Sequence, residues 1–121
     1  MLGTAALVNQ VKNGLPAASF RVLRDAIEVS TERLARLVRI SPRTLARRKV
    51  LTPDESERIL RIGQLFQRAI GVLGDETEAR SWLLAPQKAL GGATPLDYAE
   101  TEPGGRAVED LLGRLEHGVF S

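Results

Sequence analysis

From Arg39 to Glu55 the chain reads RISPRTLARRKVLTPDE. Five basic residues, Arg39, Arg43, Arg47, Arg48 and Lys49, share this run with a Ser-Pro and a Thr-Pro step. A hydroxyl side chain followed by proline marks a helix start. The hydroxyl can accept a hydrogen bond from a first-turn amide, and proline fills a position whose N–H would have no helical partner. Thr52-Pro53-Asp54-Glu55 adds a glutamate three residues after the threonine, the spacing of a capping box. The run therefore predicts a short helix from Pro42 to about Lys49, followed by the start of a longer one.

Upstream, Ser30 or Thr31 can cap a helix whose apolar side is Leu34, Ala35 and Val38. A helix, a break at Arg39-Ile40-Ser41 and a second short helix make a helix-turn-helix, with Leu34, Val38, Ile40 and Leu45 clamping the pair. Ser41, Arg43, Thr44, Arg47, Arg48 and Lys49 then fall on or near the outer face of the second helix. Arg43 and Arg47 are four apart and project from one side. Guanidinium groups so placed can pair with guanine edges or hold phosphates. Ser41 and the first-turn amides offer a seat for a phosphate. Two positions depart from the usual pattern. Arg39 stands where many such turns carry glycine, and Arg48 where the residue is often apolar, so a less regular turn is expected.

Charge supports the same reading. From Phe20 to Val50 nine Lys/Arg stand against three acids, and from Leu51 to Ser121 seven stand against twelve. The overall +2 thus hides a basic first half suited to phosphates and an acidic second half that they would repel.

The remaining segments also read as helices. Ala5 to Lys12 is predicted as a short helix ending at Asn13-Gly14, and Pro16 as the first residue of another carrying Phe20, Leu23 and Ile27. After Pro53 comes the longest stripe, Ile59, Ile62, Leu65, Phe66, Ala69, Ile70 and Leu73, with Gly74 as its stop. Asp75 to Glu78 caps a helix carrying Ala79, Trp82 and Leu83, and Leu90-Gly91-Gly92 is a turn. Thr94-Pro95 opens a short helix, and Thr101 caps a last one carrying Val108, Leu111, Leu112 and Leu115. Trp82 reads as a core anchor. With 43% hydrophobic but 4% aromatic residues, the core is aliphatic, which favours packed helices over a sheet. The predicted fold is all-α. It divides into a helix-turn-helix region over 1–51, a connecting helix over 52–74 and a small helical domain over 75–121.

Several function classes are disfavoured. Cysteine is absent, so disulfides and thiolate metal sites are out. No apolar run is long enough to span a bilayer and the start lacks a basic leader, so a cytoplasmic protein without membrane contact is expected. The sequence has no Walker loop, metal-ligand cluster or dinucleotide fingerprint, and Leu90-Gly91-Gly92 follows a helix instead of a strand. His117, beside Glu116 near a helix end, suits the helix dipole. A non-enzyme without cofactor or metal is the expectation.

The second half carries a more specific signal: Trp82-Leu83, Pro86, Leu90-Gly91-Gly92, Thr94-Pro95-Leu96, Thr101, Gly104 and Gly118, in that order. This set resembles the toxin-binding domain of the Xre/MbcA/ParS antitoxins, partners of RES-domain toxins, and SPRTLARRKVLTPDESERILRI is similar to their Xre-like helix-turn-helix. The resemblance covers roughly Val29 to the end; the first ~28 residues lie mostly outside it. It implies an antitoxin that binds a cognate RES toxin, an NAD⁺-consuming enzyme. It also implies a homodimer that represses its own operon by binding promoter DNA. The C-terminal end is implied to obstruct the toxin's active-site cleft, which makes Gly118, Val119, Phe120 and Ser121, with the acidic last helix, the candidate toxin contacts. A stand-alone dimeric transcription regulator, or a ParS-like interaction or localisation factor without DNA binding, are the alternatives.

Overall fold

The computed structural model describes residues 4–118. Among them the chain is helical and lacks any strand beyond one isolated antiparallel bridge. Two compact units divide between Leu60 and Arg61, inside the longest helix.

In the first unit, α1 (Thr4–Asn13), α2 (Ala18–Ile27), α3 (Thr31–Val38) and α4 (Pro42–Arg47) precede the start of α5 (Pro53–Leu73). Ser30 caps α3 by accepting the Arg33 amide at 3.1 Å, and Ser41 caps α4 by accepting the Thr44 amide at 3.1 Å. The capping box of α5 closes in both directions. The Thr52 amide donates to Glu55 Oε1 at 2.8 Å, and the Glu55 amide to Thr52 Oγ1 at 3.2 Å. The apolar faces of these helices meet in a core of Phe20, Leu23, Ile27, Leu34, Ala35, Leu37, Val38, Ile40, Leu45, Leu51 and Ile59. Each large aliphatic or aromatic side chain buried there contributes about 1.5–3 kcal/mol.

Pro16 does not open α2 as its position suggested. It pairs with Val50 in the bridge, flanked by hydrogen bonds from the Ala17 amide to the Lys49 carbonyl and from the Leu51 amide to the Leu15 carbonyl, both 2.8 Å. In this pairing the bonds belong to the neighbours of the central residues, so a proline without N–H fits. The same bridge shortens α4, which ends at Arg47 and not at Lys49: Arg48 turns extended at φ −94°, ψ 144° to deliver Lys49 to Ala17. Gly14 sits close against this crossing. A Cβ there would lie 2.3 Å from the Leu51 carbonyl oxygen, and its φ is +85°. Behind the crossing, the fully buried Ser56 hydroxyl accepts the Leu15 amide at 2.8 Å.

The second unit takes the rest of α5, which stops at Gly74, then α6 (Glu76–Leu83), a 3₁₀ turn (Lys88–Leu90), α7 (Pro95–Tyr98) and α8 (Glu102–Glu116). Asp75, Thr94 and Thr101 cap α6, α7 and α8 by accepting the amides of Glu78, Asp97 and Gly104 at 2.8, 3.1 and 3.1 Å. The core is Ile62, Leu65, Phe66 and Ala69 of α5 with Ala79, Leu83, Leu90, Leu96, Ala99, Val108 and Leu112. Leu111 and Leu115, expected on the same stripe, are half-buried. Trp82 is half-buried too, so Leu83 and Ala79 take the deeper positions on α6.

Gly104 lets the first turn of α8 press against the end of α7. A Cβ built there would stand 1.8 Å from the Tyr98 carbonyl oxygen, while one on Gly113, later in the same helix, would meet nothing within 4 Å. Gly104→Ala is expected to destabilise the protein by about 1–3 kcal/mol through overpacking, while Gly113→Ala stabilises it by about 0.5–1 kcal/mol because the backbone loses less entropy on folding. Thermal melts of the two variants should move in opposite directions.

Candidate functional site

The helix-turn-helix is built from α3, the turn Arg39–Ser41 and α4. Its turn is regular despite the missing glycine. Arg39 itself takes the left-handed conformation at φ 54°, ψ 48°, its amide donating to the Arg36 carbonyl at 3.3 Å while Ile40 donates to the Ala35 carbonyl at 3.0 Å. This is the double hydrogen-bond pattern that closes helices ending in a left-handed residue. A non-glycine residue in that conformation costs about 1–2 kcal/mol. Ile40 is driven into the core at 2% exposure and anchors the turn from inside.

A residue that sequence reasoning misses anchors it from the other side. Arg58, on α5, donates from Nε to the Val38 carbonyl at 2.6 Å and from Nη2 to the Arg39 carbonyl at 3.5 Å. Those carbonyls belong to the α3 C-terminal end, where the helix leaves acceptors unfilled and concentrates negative potential. Its only signal in the sequence is an arginine three residues after the capping-box glutamate.

The six residues singled out on or after α4 separate into three groups. Arg43, Arg47 and Lys49 lie on the surface, and no acid among the described residues ion-pairs with Arg43 or Arg47. Ser41 and Thr44 are turned toward each other: the Ser41 hydroxyl donates to Thr44 Oγ1 at 3.0 Å while accepting the Thr44 amide, so the cap consumes it. The guanidinium of Arg48 donates to Glu55 Oε1, the oxygen that also receives the Thr52 amide. Where an apolar residue was expected, an arginine is neutralised by the acid of the next helix's cap.

Glu55 is shielded from solvent, which by itself raises a carboxyl pKa. The hydrogen bonds from the Thr52 amide, the Arg48 guanidinium and the Thr52 hydroxyl, with the charge of Arg48, outweigh that penalty and hold the group below its ordinary 4.5.

The second unit presents a different surface. Glu109, Asp110 and Glu116 are exposed along α8. Arg68 of α5 grips Glu116 with a fork, Nη2–Oε1 2.8 Å and Nη1–Oε2 3.2 Å, and lies 3.9 Å from Glu109. Arg68, Glu109 and Asp110, with Gly113, Arg114 and His117, line a shallow depression of about 680 Å³. His117 caps α8, and Gly118 donates its amide to the Leu115 carbonyl at 3.3 Å. Val119, Phe120 and Ser121, named above as toxin contacts, lie outside the described residues. Among the described residues no group of three or more His, Asp or Glu is gathered as a metal ion requires, and no helix is long and apolar enough to cross a membrane.

Comparison with known proteins agrees with both halves. Residues 6–63 match the antitoxin Xre-like helix-turn-helix domain and residues 68–118 the antitoxin Xre/MbcA/ParS C-terminal toxin-binding domain. The first match takes in α1 and α2, which lie outside the sequence motifs. The chain is 37% identical to Antitoxin Xre of Yersinia enterocolitica, covering 98% of this chain and 93% of that protein. To Antitoxin Xre of Photorhabdus laumondii it is 31% identical, covering 96% and 80%. Its fold is similar to that of a chain in the crystal structure of the M. tuberculosis MbcT–MbcA toxin–antitoxin complex, with a TM-score of 0.62 at 18% identity over 87% of this chain and 96% of that one.

Glu55 carries a pH signature. Its stabilising contribution is complete above the unfolded carboxyl pKa and is lost as pH falls through the lower folded value. The stability gap between the wild type and Glu55→Gln should therefore be constant from pH 7 down to about 5 and close progressively below that. Urea midpoints measured across this range read it directly.

Proposed function

The chain belongs to the Xre/MbcA/ParS antitoxin family, and on that premise we propose that it neutralises a cognate RES-domain toxin by direct binding and represses its own operon. The work divides between the two units. The first binds promoter DNA; the second binds the toxin. No chemistry is performed by this chain, whose part is to occlude an NAD⁺-consuming enzyme and a promoter.

The observation that carries the DNA half is the state of α4. Arg43 and Arg47 stand one helical turn apart, exposed and ion-paired with no acid among the described residues, on a helix capped at Ser41. Arginines aimed at solvent from a fixed helix suit bidentate contacts to guanine or charge-assisted contacts to phosphate. Lys49 adds a flanking phosphate contact, while Arg48 serves α4 through Glu55. Ser41 and Thr44 reach the backbone only where their hydroxyls can add a phosphate to the bonds they already make. A homodimer would set two such helices on a palindrome.

For the toxin half, α8 carries an acidic exposed face and delivers the chain at Gly118 to Val119, Phe120 and Ser121. A terminal Phe beyond a helix stop is an apolar anchor suited to a cleft. The solved relative was crystallised within a toxin–antitoxin complex, which favours this use over a stand-alone regulator or a localisation factor.

Replacing both Arg43 and Arg47 by alanine is expected to weaken binding to the chain's own upstream DNA by about 100-fold or more at constant helicity; an unchanged gel-shift contradicts the assignment. Deleting Val119–Ser121 is expected to weaken growth rescue when the cognate toxin is co-expressed, with DNA binding intact. Full rescue by the truncated chain contradicts the tail as anchor.

A further inference from the structure

The helix that carries Arg43 and Arg47 is flanked on both sides by contacts to one face of α5. Glu55 takes the Arg48 guanidinium immediately after α4, and Arg58 takes the Val38 and Arg39 carbonyls where α3 passes into the turn before it. These two α5 residues are three apart and therefore neighbours on the helix surface. We propose that Arg58 is a positioning residue for DNA reading, fixing the aim of α4 through the turn; this rests on the DNA-binding reading above.

The chemistry favours an arginine in that place. The turn's left-handed residue is Arg39, a conformation that side chains avoid, so its geometry has to be held by something outside the turn. Two successive carbonyls ending α3 present acceptors on one side, and a planar guanidinium can address both while its charge complements the helix end. A lysine keeps the charge but supplies a point donor without the fork. The side chain is half-buried and spent on carbonyls, not free to reach a duplex. Bidentate base contacts tolerate little misalignment, so loosening the turn degrades sequence reading more than general attraction to phosphate.

The test measures the affinity of the full-length chain for a duplex of its own upstream DNA and for a scrambled duplex of equal composition, across a salt series. Arg58→Lys is expected to weaken binding to the cognate duplex by about ten-fold, leaving the scrambled duplex and the salt slope as in the wild type. Adding Arg39→Gly, which relieves the strained conformation, is expected to recover at least about three-fold of that loss. Unchanged cognate affinity in Arg58→Lys overturns the proposal. So does an Arg58→Ala variant whose salt slope falls by about 0.9 while Arg58→Lys restores it, because Arg58 would then contact phosphate itself. Should Arg58→Lys lose the scrambled duplex too, its fold has failed and the double variant decides: cognate binding regained with the turn relieved supports the clamp, and no gain overturns it. If the wild type does not distinguish the two duplexes, or the Arg43/Arg47 double alanine variant binds as the wild type does, the DNA reading itself has failed, and the clamp with it.

Discussion

The Glu55 carboxylate receives the Thr52 amide and the Arg48 guanidinium on a single oxygen while almost all of the residue is hidden from water. That arrangement fixes three things together. It starts α5, it holds the residue that follows α4, and it spans the extended segment between them that pairs with Leu15 and Ala17. A buried acid is tolerable only when hydrogen-bonded and paired, and here the partners come from the short loop it closes. Helix α4 is six residues long, well below the length at which a helix is stable alone. It is flanked by contacts to a helix more than three times as long, at Arg48 after it and at the Val38 and Arg39 carbonyls before its turn.

Local signals are legible in the sequence wherever a cap and its amide lie three residues apart. Ser30, Thr52, Asp75, Thr94 and Thr101 all sit at helix starts, and the stripe along α5 packs as its spacing implies for Ile59, Ile62, Leu65, Phe66 and Ala69. The misses involve partners distant in sequence. Pro16 suits a first helical position as Pro42 does, though Leu15 before it offers no capping hydroxyl, and nothing local says that a residue 34 positions onward will draw it into a bridge. Arg58 reads as one more polar residue on α5, because its acceptors are carbonyls that become available only once the turn has formed. Arg48 falls on the outer face of a helix that runs through Lys49; the earlier stop turns it inward to Glu55.

In the second unit, much of the family signature serves the backbone. Thr94 and Thr101 are caps, Pro95 is the buried first residue of α7, and Gly104 makes room for a carbonyl. Such positions secure a scaffold, and the proposed partner contacts lie instead with the exposed residues of α8 and the segment after it. The Arg68 fork on Glu116 joins the last turn of α8 to α5 and steadies the point from which that segment departs. A surface pair of this kind adds little stability by itself, roughly 0–1 kcal/mol. Its geometric effect is therefore the more informative one.

The bridge at Pro16 has a consequence for solubility. Extended backbone with open donors and acceptors along one side is a template on which foreign strands can assemble, and proteins made in quantity have to blunt it. Pro16 presents its outward side with no N–H, and its carbonyl is taken by the Ser19 amide at 2.9 Å. On the Pro16 side the pairing with Val50 thus recruits no third strand. A helical chain gains the cross-link of a miniature sheet with one of its two edges blunted by proline.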